Sequence, residues 1–298
     1  MTVDQAFAEY EAVRDVLPDV ASARAEPVYR ETLADLSDEF DVFLLDAFGV
    51  LNIGERAIPD VQGRVEDLIA AGKTVLVVSN AASVPLSSLV TKYRRLGYPF
   101  GPVDIVTSRQ SLTTALGTQD DRLWGVMGGD ADGLEDLGPV RTIQLLDDPD
   151  AYHAAEGFLL IGSATWTEDR QARLEAALAA QPRPVLVGNP DIVAPRETGF
   201  SVEPGYFAHR LAKTTPVSPQ FFGKPYPNIY DLAFARLGDV DKSRVVMVGD
   251  SLHTDILGAH AAGIASALIA GYGFFAESDV PSAIKASGIA PSYVLTRP

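Results

Sequence analysis

Val42-Phe43-Leu44-Leu45-Asp46 decides the fold: four apolar residues, too few for a helix, stopped by an acid. So short and apolar a run reads as a parallel strand buried on both faces. The pattern recurs in Thr74-Val75-Leu76-Val77-Val78, which stops at Ser79-Asn80, and in Arg244-Val245-Val246-Met247-Val248, which stops at Gly249-Asp250. A further apolar run covers Ala265 to Ala270. Between these runs the spacing turns helical. Pro59 opens a helix carrying Val61, Val65, Leu68 and Ile69 that ends before Gly72, and a second helical stretch runs from Pro85 to Leu96 before Gly97. Strand alternating with amphipathic helix predicts an α/β fold, a doubly wound parallel, Rossmann-like sheet.

Outward from that core the texture changes. Trp124 to Met127, Gly157 to Gly162 and Pro184 to Val187 read as strands, with helices near 168–180 and 204–213. Residues 120–217 are long enough for an inserted α/β domain, which leaves 41–119 and 218–298 for the core. Residues 1–40 are acidic and rich in alanine. Phe7, Tyr10, Val13 and Leu17 fall at helical spacing, which predicts an N-terminal helical extension packed on the main body.

Composition narrows the function. A chain of 298 residues that is 47% hydrophobic can build one large domain or two moderate ones. A net charge of −16 with no basic stripe argues against a nucleic-acid or anionic-membrane partner. Any anion site must then be local, built from backbone N–H groups, a lysine and a metal. With no cysteine there is no disulfide, thiolate nucleophile or cysteine zinc site, which fits a reducing cytoplasm. The first residues lack a signal-peptide pattern, and no apolar run approaches the roughly 20 residues of a membrane span.

In open parallel sheets, ligands bind beyond the carboxyl ends of the strands. Here three strand ends carry Asp46, Ser79-Asn80 and Gly249-Asp250. Two carboxylates converging on one point share a proton or hold a cation, and an oxygen-rich set without cysteine or histidine favours Mg²⁺ over zinc. A carboxylate kept ionised in this way can attack phosphorus, giving an acyl phosphate that water hydrolyses. The phosphoryl oxygens also need donors: the Ser79 hydroxyl, backbone N–H groups and a lysine. Lys224, in Gly223-Lys224-Pro225 before a helix beginning near Pro227, is the best-placed lysine. Alone, that tripeptide is an ordinary surface loop.

Together these segments resemble the haloacid dehalogenase superfamily, in the class IIA subgroup whose large α/β cap accompanies sugar-phosphate and nucleotide phosphatases. The matching motifs are Leu44-Leu45-Asp46-Ala47-Phe48-Gly49-Val50-Leu51, Val77-Val78-Ser79-Asn80, Gly223-Lys224-Pro225 and Val248-Gly249-Asp250-Ser251-Leu252-His253-Thr254-Asp255-Ile256, in family order over residues 40–275. The resemblance makes the 120–217 insert the cap. It implies a Mg²⁺-dependent hydrolase of a small phosphorylated metabolite, of the sugar-phosphate or acyl-phosphate class. Asp46 would be nucleophile and metal ligand, Phe48 would give the metal its backbone carbonyl, and Asp250 would be the second carboxylate. Asp255 would stand at the metal, orienting its waters or Lys224. Ser79, the Asn80 backbone N–H and Lys224 would hold the phosphoryl group. From the cap, Asn189 and Asp191 would face the core, with His209 and Arg210 as substrate-specificity candidates. His253 is expected in a solvated or capping role. Caps of this subgroup often take part in dimer contacts, so a homodimer is a further expectation.

The chain departs from the family at position 48, where phosphatases usually carry a second aspartate that protonates the leaving group. Phenylalanine cannot move a proton, although its carbonyl still serves a metal. Three readings stay open: a substrate with a good leaving group, a proton from the cap or the substrate, or different chemistry such as dehalogenation or phosphonate cleavage. A weakly active or non-catalytic phosphate-ligand binding protein on the same scaffold is the alternative from another class. If only the proton donor is missing, Phe48→Asp raises kcat/KM for a phenyl phosphate by at least about tenfold in steady-state assays. No gain would mean a site shaped for other chemistry.

Overall fold

The computed structural model describes the chain except for residues 21–25, 129–132, 197–198 and 277, and except for the side chain of Glu135. Its main sheet has seven strands in the order Val28–Arg30, Tyr293–Leu295, Ala265–Ile269, Val245–Gly249, Val42–Leu45, Thr74–Ser79, Ile105–Thr107. Every pairing is parallel. The opening run is an interior strand, fifth of the seven and buried at all four positions. From it the chain steps to Thr74–Ser79 on one side, and later returns through Val245–Gly249 on the other. The topological switch therefore lies at Asp46 and Asp250, where such sheets open a crevice beyond the strand ends.

The crossover helices follow from local sequence. Ser108–Leu116 starts in a capping box formed by Thr107 and Gln110. Leu86–Arg95 buries Leu89, Val90 and Tyr93, and gathers Lys92, Arg94 and Arg95 in its last turn, where cations suit the helix dipole. Among the described residues no helix is long and apolar enough to cross a membrane.

A second parallel sheet is ordered Gln220–Phe221, Val185–Val187, Gly157–Leu160, Leu123–Met127, Arg141–Gln144. Helices Glu168–Ala180 and Pro204–Thr214 pack beside it. The sheet passes the expected boundary at 217, because Leu186 and Val187 pair with Gln220 and Phe221. An edge strand of two residues has no period to read in a sequence.

The N-terminal stretch is only partly the expected helical extension. Val3–Glu11 is a helix with a Thr2–Gln5 capping box. Val28–Arg30, however, is an edge strand of the main sheet, and its three exposed residues show no alternation that could have marked it. The helix buries Ala6 and Tyr10, in one cluster with Val13, Leu17, Leu252, Phe274 and Phe275 of the core and with Ile192 and Val193 near the second sheet. The Tyr10 hydroxyl accepts the Ile192 N–H at 3.1 Å, so this helix ties the core to the inserted domain. Tyr10→Ala removes that bond and a buried ring, and is expected to cost about 3 kcal/mol, read as a lower urea midpoint at unchanged slope.

Candidate active site

Each polar group at the strand ends is fixed by its own local contacts. Asp46 extends the ladder between Val42–Leu45 and Val245–Gly249 by one bond, its N–H donating to Val248 O at 2.8 Å, which sets its carboxyl beside Asp250. Asp250 accepts the Phe274 N–H at 2.8 Å. Gly49 and Gly273, at φ +74° and +73°, lie against that carboxylate, and a Cβ on either would overlap it. A π-type turn at Leu252–Ile256 then brings Asp255 back under the strand end. Oxygens of Asp46, Asp250 and Asp255 all lie within 4.8 Å of one another.

Lys224 is the counter-charge. Its Nζ is 2.5 Å from Asp46 Oδ1 and 2.7 Å from Asp255 Oδ1, with its side chain 2% exposed. Asp255 Oδ2 accepts the Ser251 N–H at 3.1 Å, so both oxygens of Asp255 already have protein partners. That arrangement favours Asp255 as the holder of Lys224. Asn80 brackets the lysine's backbone: its Oδ1 accepts Lys224 N–H at 2.7 Å, and its Nδ2 donates to Lys224 O at 2.9 Å. The same Nδ2 reaches Asp191 Oδ1 at 2.7 Å, across to the cap. The Asn80 side chain is therefore committed to the protein, which sequence spacing could not show.

The charges behave as a crowded acidic cluster should. Burial pushes the Asp46 carboxyl up to about 6, Lys224 opposing and Asp255 adding to the shift. Burial, with the charges of Asp46 and Asp255, holds Asp250 well above the ordinary aspartate value. Burial would strip Lys224 of its proton, but Asp255 and Asp46 outweigh it and hold the ammonium above the ordinary lysine value. Three carboxylates against one lysine leave negative charge uncompensated, and an oxygen set of this kind fits a hard divalent cation.

These groups line a cleft of about 280 Å³ walled by the strand ends of the main sheet, by residues 189–203 of the cap and by Tyr10. Ser79 is 3% exposed at its floor. Asn189 and Asp191 face the cleft from the cap; Asn189 Nδ2 donates to Glu203 at 3.2 Å, and burial pushes the Asp191 carboxyl up to about 8. Phe48 is half-buried at the mouth, where Lys92 Nζ and Arg196 Cζ lie 5.1 and 5.2 Å from its ring centre. Tyr10, Lys92, Arg196 and Glu203 escaped sequence reading, since each sits in an ordinary helical or loop pattern.

Two specificity candidates fall elsewhere. His209 is buried in the cap and stacks on Phe221 at 4.7 Å, and Arg210 turns to Glu168 and Glu175 on the neighbouring helix. Neither lines the cleft. Adjacent helix positions face about 100° apart, so a motif match alone could not aim them. His253 is likewise not solvated: it is buried under the N-terminal helix, stacked on Tyr10 at 5.0 Å and 2.5 Å from Glu11.

Comparison with known proteins adds likenesses of family and fold. A family model described as haloacid dehalogenase-like hydrolase matches residues 43–137, and one described as HAD-hydrolase-like matches 221–296. An acid sugar phosphatase of Staphylococcus aureus is 28% identical over 219 residues, 74% of this chain and 82% of its own. A D-glycerol 3-phosphate phosphatase of Mycobacterium tuberculosis is 31% identical over 245 residues, 80% of this chain and 65% of its own. Among solved structures, a possible sugar phosphatase of Cytophaga hutchinsonii superposes with TM-score 0.79 at 22% identity, covering 92% of this chain and 98% of the other. A glycerol phosphate phosphatase of Mycobacterium tuberculosis in complex with magnesium gives 0.70 at 24% identity, covering 88% and 76%. At such identities the superpositions speak for the fold.

Burial, with Lys213 nearby, pushes His209 down to about 4. The unfolded chain, with a histidine near 6.5, takes up that proton first, so stability is full above about pH 6.5 and falls toward pH 4. The expected loss is up to about 3 kcal/mol, and His209→Leu should remove that part of the slope in urea titrations across the window.

Proposed function

The chain belongs to the haloacid dehalogenase superfamily, and from that premise we propose that it is a Mg²⁺-dependent phosphatase of a small phosphorylated metabolite, working through an aspartyl-phosphate on Asp46. The observation that carries this reading is the buried Asp46–Lys224–Asp255 chain with Asp250 beside it, at the switch point of the main sheet. Asp46 and Asp250, with the Phe48 carbonyl, would hold the metal. Mg²⁺ there supplies positive charge that keeps the carboxylates ionised and offsets the phosphoryl oxygens.

The protein groups divide the remaining work. Lys224 occupies Asp46 Oδ1, and the second oxygen attacks phosphorus as the bond to the leaving oxygen breaks. Ser79 and the Asn80 backbone N–H hold the equatorial oxygens. Asp255 keeps Lys224 charged and in register, and Asn80 fixes the backbone from which Lys224 projects. Water then cleaves the acyl phosphate and frees Asp46.

The names of the relatives favour a sugar or polyol phosphate, while Phe48 favours a leaving group that departs without a protein proton, as in an acyl phosphate. Location in the cytoplasm and pairing of two copies belong to the same proposal, resting on the cysteine-free composition and the family resemblance. Phe48 also favours a second reading, ligand binding without turnover. Turnover of p-nitrophenyl phosphate or acetyl phosphate with Mg²⁺ decides between them. It is expected to be abolished by EDTA and lowered at least about a thousandfold by Asp46→Asn. Calorimetric binding without product across an ester and acyl-phosphate panel would replace the first reading with the second.

A further inference from the structure

Phe48 is the centre of a charged entrance. Lys92 reaches its ring from the core helix Leu86–Arg95 and Arg196 from just beyond the strand Val193–Pro195, so core and cap each bring a cation to the same ring. Both line the cleft that holds Asp46. Glu55 takes Lys92 at 2.9 Å and also Arg95, while Glu203 takes Arg196 at 2.9 Å. Among the described residues, three cations meet two carboxylates in these ion pairs, on a chain whose net charge is −16. A shallow groove lined by Ser88, Thr91, Lys92 and Arg95 continues from this mouth.

A phosphoryl group seated at Asp46 sends its leaving group outward past Phe48, two residues along. The ring offers that group a flat apolar face and no hydrogen bond, with ammonium and guanidinium groups at hand. Lys92 also donates to Gly54 O at 3.0 Å and each cation keeps its carboxylate, so an arriving anion displaces only the weaker ring contacts and adds a charge-assisted hydrogen bond to each cation. Resting on the phosphatase reading, we propose that Lys92 and Arg196, gathered over Phe48, form a subsite for a second anionic group on the leaving portion of the substrate. The substrate class is then a phosphate compound whose leaving group carries a carboxylate or a further phosphate.

Three probes test this by calorimetry on the full chain bearing Asp46→Asn, with Mg²⁺: phenyl phosphate, 3-carboxyphenyl phosphate and 1,3-phenylene bisphosphate. At least one charged probe should bind about tenfold more tightly than phenyl phosphate, and the stronger of the two identifies the anion. That preference should shrink between about 50 and 500 mM salt. Adding Lys92→Ala or Arg196→Ala should reduce it to within about twofold, and Lys92→Arg should retain it. Equal affinity for all three probes, or a preference that survives both alanine substitutions, overturns the subsite. Turnover of phenyl phosphate by the unmutated chain is read separately, so a failure of the phosphatase reading is visible on its own.

Discussion

Carboxylates brought within 4.8 Å of one another in a buried site repel strongly, and the arrangement around Asp46 depends on the single ammonium set among them. Lys224 touches two of the three acids directly and is almost wholly withdrawn from water. Taking one partner from such a pair leaves an unbalanced buried charge, which costs far more than the pair itself contributes. Much of the surrounding structure therefore serves to keep that lysine in place. Asn80 grips its peptide from both sides, Asp255 receives its second hydrogen bond, and the Leu252–Ile256 turn exists where Asp255 must double back beneath the strand.

The sheet does the coarse positioning and the loops do the fine. Strand register sets Asp46 beside Asp250, because Leu45 and Val248 are paired neighbours in adjacent strands. Two glycines at positive φ then let the Gly49 and Gly273 loops close over Asp250 without a side chain between. The cap enters through Asp191, whose bond to Asn80 joins it to the residue that holds Lys224. Cap position and charge balance are thus linked through one amide side chain.

The sequence was informative where one residue type has few alternative uses. Apolar runs stopped by Asp46, Ser79-Asn80 and Asp250 are hard to read as anything but buried parallel strands with polar ends, and the main sheet has them so. Lys224 became legible only through its company, since its tripeptide is commonplace. The contribution of Asn80 was hidden because its side chain acts on groups 111 and 144 residues away. His209 and Arg210 show the limit from the other side: a matching segment gives a helix, but helix rotation decides which residue meets the cleft. The Val28–Arg30 and Gln220–Phe221 strands are set by partners distant in sequence, not by any pattern of their own.

The helix Val3–Glu11 and the strand Val28–Arg30 have a consequence for how the chain is made. Their docking surfaces come from residues 192–193, 252–275 and 293–295. During synthesis these early segments leave the ribosome long before anything they pack on exists, and domains otherwise tend to form from the N-terminal side. The seven-stranded sheet can be completed only after Leu295 has emerged, and the wall that Tyr10 gives the cleft can be set only after Phe274. Birth order and assembly order are reversed in this molecule, so a ribosome-bound chain stalled before the last strand would carry its opening helix exposed, with the apolar side of Ala6, Tyr10 and Val13 open to the first chaperone that meets it.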